Sequence, residues 1–341
     1  GTWTGSSWSA DAEDLSDRQR ILEWLEAELP NLVRLVGAAA AGDAGERLTA
    51  VRIALGMSRL GRALMRFGEF HAVMSVVIDL PVALDPRLEH GRIYQMAAAL
   101  SWIGMSAEAL QWSDIELPLA RAIGEPTQLS ASLVDRSSVL LRLNRPDEAM
   151  PYAEEALRVV LEAGALTHEA GANLSVGMLA GQLGDLPRQR EAFDRAIQIL
   201  SSGAPTSTAL ARALVGWSFR DSGQYEASLA SLEEALEKSR ETKTEALEAM
   251  ILTELGATWL AMGDHARASE ALTDGVAIAI RYPREHREAE LRQRLGQALA
   301  GLGMVAEARA EWERAVVLYD RMADSRAAEV REWLTGSEVE R

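Results

Sequence analysis

The chain has no cysteine, two lysines (Lys238 and Lys243) among 341 residues, and only 5% aromatic residues. Without cysteine there is no disulfide framework, no thiolate metal site and no cysteine nucleophile, so redox chemistry does not fix a compartment. Neither lysine follows a glycine, so the Gly-x4-Gly-Lys-Ser/Thr loop that wraps nucleotide phosphates is missing. Positive charge is short overall: 35 basic against 51 acidic residues leave a formal charge of −16. Such a surface repels phosphate and gains nothing from counterion release, so neither direct nucleic-acid contact nor an anionic membrane is expected. No apolar run reaches the length of a membrane span. The opening GTWTGSSWSADAEDLSD lacks the basic and apolar regions of a signal peptide, which points to the cytoplasm. A start at Gly1 without Met gives the expectation that the chain is a fragment of a longer protein.

Catalytic patterns are missing too. The five histidines (His71, His90, His168, His265, His286) stand far apart with no HExxH pair, and read as surface or turn residues. There is no GxSxG elbow, and no pair of carboxylates stands out from the acidic helix faces. The expectation is a chain without catalytic residues, metal or cofactor of its own.

What the sequence does have is 48% hydrophobic residues, carried by Ala and Leu, and a repeat. Both are strong helix formers, and long alternating β-branched runs are missing, so the chain reads as all-α. A glycine followed seven positions later by a second glycine recurs at Gly61/Gly68, Gly177/Gly184, Gly216/Gly223, Gly256/Gly263 and Gly296/Gly303. The second positions, with Gly104 and Asn144 filling the gaps, are spaced 36, 40, 40, 39, 40 and 40 residues apart. Each is placed to end a first helix in the left-handed region, which costs glycine little and asparagine not much more. Asp147, Asp185 and Asp264 then stand as N-caps of a second helix.

The earlier glycine lies inside the first helix, where it costs about 1 kcal/mol relative to alanine. It belongs where a neighbouring helix crosses too closely for a side chain; Ala97 and Ser137 hold that place in two copies. In the second helix, small residues stand five and twelve positions past the turn (Ala109, Ala149, Ser228, Ala268, Ala308; Ala156, Ala196, Ala235, Ala315). Large ones stand nine past it (Phe193, Leu232, Leu272, Trp312), completing one apolar stripe that Gln189 and Glu116 interrupt.

Small residue, turn glycine, then Ala, large apolar and Ala at these offsets resembles the tetratricopeptide repeat. The resemblance implies an α-α superhelix, a solenoid of about seven helix pairs over residues 45–323. A capping helix is expected at 324–335, a tail at 336–341, an N-terminal helix at 19–44 that joins an upstream module, and a flexible polar linker at 1–18. The period is near 40 rather than the usual 34, which implies longer helices and a longer link between pairs. Residues 21–40, with Trp24, Glu28, Asn31 and Leu32 along one helix, and the ending at 306–334 resemble the AfsR/SARP-type regulators. Those belong to the signal-transduction ATPases with numerous domains. That resemblance implies a non-catalytic sensor domain of a bacterial transcription regulator. It would contact an upstream ATPase and winged-helix module, which alone would carry ATP.

In tetratricopeptide arrays the first helices line the binding groove. The corresponding positions are Tyr94, Trp102, Val134, Leu141, Arg142, Leu174, Met178, Trp217, Arg220, Met250 and Thr253. Large apolar residues with Met suit a peptide or an amphipathic helix, and Arg142 and Arg220 suit acidic groups. A protein or peptide partner is expected, or a small effector. A free-standing interaction scaffold and a peptide receptor of the quorum-sensing kind stand as alternatives.

Overall fold

Helix starts are set by short-range chemistry that the sequence spells out. At Asp43 the carboxylate accepts from the Gly45 and Glu46 amides at 2.8 and 2.9 Å, while Glu46 Oε2 accepts from the Asp43 amide at 2.9 Å. This reciprocal capping box starts one helix. Asp85 accepts from the Arg87 and Leu88 amides at 2.9 and 3.0 Å, and Glu125 caps in the same way; each is followed by a proline at the first helical position. The computed structural model describes residues 18–64, 67–203, 205–281, 285–322, 324 and 326–336. Among them are sixteen α-helices and no strand. The expected linker at 1–18 and tail at 336–341 lie outside these residues, apart from Arg18 and Gly336, and the surroundings of Trp24 and Gly61 are likewise outside the description.

The chain divides into two compact units, Gly1–Val159 and Val160–Arg341. The first holds α1 (Arg18–Ala40), α2 (Ala44–Leu64), α3 (Phe67–Val77), α4 (Pro86–Trp102), α5 (Ser106–Ile123), α6 (Pro126–Arg142) and most of α7 (Pro146–Ala163). The second holds α8 (Leu166–Gln182), α9 (Leu186–Ser201), α10 (Pro205–Asp221), α11 (Tyr225–Glu241), α12 (Glu245–Ala261), α13 (His265–Arg281), α14 (Glu285–Gly301), α15 (Val305–Arg321) and α16 (Arg326–Gly336). Within the second unit α8, α10, α12 and α14 lie side by side in chain order, while each intervening helix packs on the first helices around it. This is the tetratricopeptide-like helix-pair architecture the spacing predicts. No helix among the described residues is long and apolar enough to cross a membrane.

The turn positions behave as expected from Gly104 onward. Gly104, Gly184, Gly223, Gly263 and Gly303 have φ between 75° and 86°, and Asn144 has φ 57°. Gly68 does not: α2 ends at Leu64 and α3 begins at Phe67, so Gly68 sits in the first turn of α3. Asp185 and Asp264 cap their helices, accepting from the Arg188 and Arg267 amides at 3.2 and 3.1 Å. Asp147 is not a cap, because Pro146 already opens α7 and leaves it in the first turn. There its charge favours the positive end of the helix dipole. The links after α5, α7 and α11 are also shorter than expected, two or three residues, because second left-handed residues (Gly124, Gly164, Lys243) reverse the chain tightly, while the link from α3 to α4, residues 78–85, is longer. Helices of 16 to 18 residues, from α4 to α15, absorb the long period.

The interior glycines mark close helix crossings. A Cβ on Gly216 would stand 2.5 Å from Leu232 Cγ, and one on Gly177, Gly256 or Gly296 would fall inside 3.0 Å of Phe193, Leu272 or Trp312. In every case the obstructing residue is the large one nine positions past the turn, sixteen residues on. The small positions of the second helices, among them Ala109, Ala149, Ser228, Ala268, Ala308 and Ala235, are fully buried. At the C-terminal end, α16 covers the last pair: Val330 is buried, and the Trp333 ring lies 5.7 Å from Trp312.

The same end carries an acid-sensitive contact. Glu290 pairs with Arg287 at 2.8 Å and Arg294 at 3.2 Å. Burial pushes its carboxyl upward, but the two arginines outweigh it and hold the group below its ordinary value. A depressed folded-state pKa gives stability above the unfolded value, near pH ~4.3, that is lost as pH falls through the folded one. Glu290→Gln is expected to lower the melting temperature at neutral pH and to flatten its decline under acid; an unchanged acid limb would show that the pair contributes nothing.

Candidate functional site

Two helix pairs break the size rule, α6/α7 with Ser137 and Ala153 and α4/α5, and a cavity opens at the second of these. In α4/α5 the two register positions hold Ala97 and Ser113, both small, in place of a glycine facing a large residue. No side chain fills the crossing. A cavity of about 190 Å³ lies there, between α4, α5 and α6. Its aromatic members are Tyr94 and Trp102, its apolar walls include Ala98, Ala109 and Val139, and Ser101, Ser113, Ser132 and Ser138 supply hydroxyls.

The charged members are tied into the frame. Glu116 from α5, 2% exposed, meets His90 Nε2 of α4 at 2.5 Å and takes a short hydrogen bond from the Ser132 hydroxyl of α6. The His90 ring stacks on Tyr94 with centroids 5.9 Å apart, which steadies that aromatic wall. Arg136 donates to Ser113 Oγ at 3.2 Å and Asp114 at 2.7 Å, and lies over the Tyr152 ring. Burial works against its charge, but Asp114 and Tyr152 outweigh it and hold the guanidinium above its ordinary value. Arg142 donates to Ser101. His90 thus corrects the surface reading of the histidines: it is buried because a carboxylate on the next helix needs a partner.

Three of the eleven positions named from the sequence, Tyr94, Trp102 and Arg142, line this cavity. Val134 and Leu141 are half-buried on α6 and do not line it. Leu174 and Met178 on α8, Trp217 on α10 and Met250 on α12 are half-buried in the second unit. Arg220 is committed to Glu254 of α12 and to Asp221, at 3.0 Å. Thr253 is a correction: it is fully buried, and its hydroxyl donates to the Ala249 carbonyl of its own helix at 2.8 Å. A short side chain three residues before the glycine sits beneath its neighbours, whereas Leu174 or Tyr94 reaches past them. Ser113, Glu116, Ser132 and Arg136 were not singled out as site residues. The signals for them were the small residue at 113, where the pattern calls for a large one, and the break in the stripe at 116.

The second stripe-breaker behaves alike. Gln189 is fully buried; its amide donates to Ser218 Oγ at 3.2 Å and its carbonyl accepts from Gln224 at 2.6 Å. Here the polar groups of α9 and α10 and the turn after α10 satisfy one another. Among the described residues no group of three His, Cys, Asp or Glu is placed to hold a metal ion.

No family model matches the chain, and no curated protein matches its sequence. Solved structures do match in fold. A Rap protein complexed with Competence and Sporulation Factor aligns with a TM-score of 0.59 at 13% identity, over 94% of this chain and 98% of that one. The Rap conjugation gene regulator of plasmid pLS20, in complex with the Phr* peptide, aligns with a TM-score of 0.58 at 12% identity, over 84% and 77%. The apo form of RapI aligns with a TM-score of 0.56 at 8% identity, over 80% and 98%. At such identities the likeness establishes the tetratricopeptide-like fold and nothing finer.

Proposed function

We propose that this chain is a non-catalytic binding module whose ligand is a peptide or a peptide-like segment of a protein, anchored at the α4–α6 cavity. The observation that carries the reading is the vacancy at Ala97 and Ser113, flanked by Tyr94 and Trp102 and framed by a buried polar network. Small-molecule and side-chain sites are of this kind, mostly apolar with a few fixed polar groups. Two proteins that share the fold are in complex with the Phr* peptide and with Competence and Sporulation Factor, which supports a peptide receptor over a bare scaffold. The net charge of −16 favours a ligand that is neutral or basic.

The host is read as a cytoplasmic bacterial transcription regulator of the AfsR/SARP type, on the resemblance of residues 21–40 and 306–334. In that setting, binding would bias an adjoining ATPase through a coupling free energy between the sites.

Selection of short random peptides on the immobilised chain tests the binding reading. Enriched peptides are expected to saturate at one per chain, and Trp102→Ala is expected to weaken them by about tenfold or more, ~1.4 kcal/mol. A selection that yields no saturable binder overturns the reading, and so do binders indifferent to Trp102→Ala.

A further inference from the structure

We infer that the α4–α6 cavity takes one uncharged, ring-sized group with a polar tip, of the phenol type: a tyrosine side chain of a bound peptide, or a free phenol. The peptide form of this inference rests on the function proposed above; the cavity's chemistry does not.

Size comes first. A cavity of about 150 Å³ accepts a benzene ring, and the space here is about 190 Å³. It holds a ring and one substituent, not a two-residue segment. The walls come second: Tyr94 and Trp102 with Ala98 and Val139 offer the flat and apolar surface that rings prefer. Four serine hydroxyls, at 101, 113, 132 and 138, offer donors and acceptors to a polar tip.

Charge excludes the alternatives. The lining holds two carboxylates, Glu116 and Asp135, and two guanidiniums, Arg136 and Arg142, so its formal charges cancel. Glu116 is engaged by His90 and Ser132, Arg136 by Asp114, and Arg142 by Ser101. An ionic guest would lose its hydration in a lining whose formal charges already cancel, which is costly. A neutral ring loses little.

The repeat supplies its own way to close the site. Gly216/Leu232 and Gly256/Leu272 show the filled arrangement at the same two register positions. The double variant Ala97→Gly/Ser113→Leu copies it into α4/α5. Ser138→Leu is a second variant that grows a side chain into the same space and gives up only a bond to the Val134 carbonyl of its own helix.

The test is titration calorimetry with p-cresol, the tyrosine side chain in isolation, and with benzoate and benzylammonium as charged rings of similar size. The inference predicts saturable binding of p-cresol, at least about tenfold tighter than either ion, and its loss in both the double variant and Ser138→Leu. It is overturned if p-cresol binds the filled variants as it binds the parent, if a charged ring binds as well as p-cresol, or if p-cresol does not bind. Peptides selected on the parent separate the two sources. Competition by p-cresol, with loss of binding on Tyr→Ala in the peptide, assigns the cavity to a peptide tyrosine. Binding of p-cresol without competition assigns it to a free phenol. Peptide binding that survives in both filled variants overturns the peptide form while leaving the proposed function standing.

Discussion

Gly256→Leu is expected to destabilise the second unit by about 3 kcal/mol or more. Even the first added carbon would fall within 3.0 Å of three Leu272 side-chain atoms, and leucine adds three more. Overpacking a filled interior costs about 1–3 kcal/mol for small insertions and more when the backbone must part. Leu272 is fully buried and part of a cluster with Ala268, Val276, Leu291 and Leu295, so it has nowhere to move. Gly256→Ala should cost less, and pairing it with Leu272→Ala should recover part of the loss. Leu272→Ala alone should cost about 2–5 kcal/mol through the cavity it leaves. A double-mutant cycle by urea unfolding reads the coupling between the two residues. Additive costs, or a Gly256→Leu variant that unfolds like the parent, would mean that the register of glycine against large residue is wrong.

The second large effect belongs to His90→Ala. Glu116 is 2% exposed and would keep only the Ser132 hydroxyl. Leaving a buried polar group short of a hydrogen-bond partner costs about 1–3 kcal/mol, and more where the group is charged. The loss should appear in the first unit, and the Tyr94 ring should lose its stacked support with it. Replacing both partners with apolar residues, His90→Leu with Glu116→Leu, should recover much of the stability. Such replacement is often neutral or better. A loss below about 1 kcal/mol for His90→Ala would show that water enters the site and that the network does not hold α4 against α5.

Spacing carried the fold because each repeated residue answers a local demand. A left-handed turn needs Gly or Asn, and a close crossing needs glycine opposite one large residue. Both demands are visible along the chain without knowing which helices meet. Gly68 was read as one of these turn residues, and the structure instead places it in the first turn of α3. The site was less legible. The vacancy at Ser113 could be seen as a missing large residue, but its consequence depends on a third helix standing alongside. His90 and Glu116 are 26 residues apart on different helices, and nothing local says that they meet. Thr253 shows the opposite failure: a face assigned by offset alone does not reveal how deep a short side chain will lie.

The proposed site places ligand between α4 and α6. Hydrogen exchange measured with and without a selected peptide tests it most directly. The account predicts slowed exchange concentrated in α4, in the end of α6 that carries Ser138 and Arg142, and in the part of α5 facing them. Protection confined to α5, α7 and the later second helices, with α4 and α6 unchanged, would contradict it.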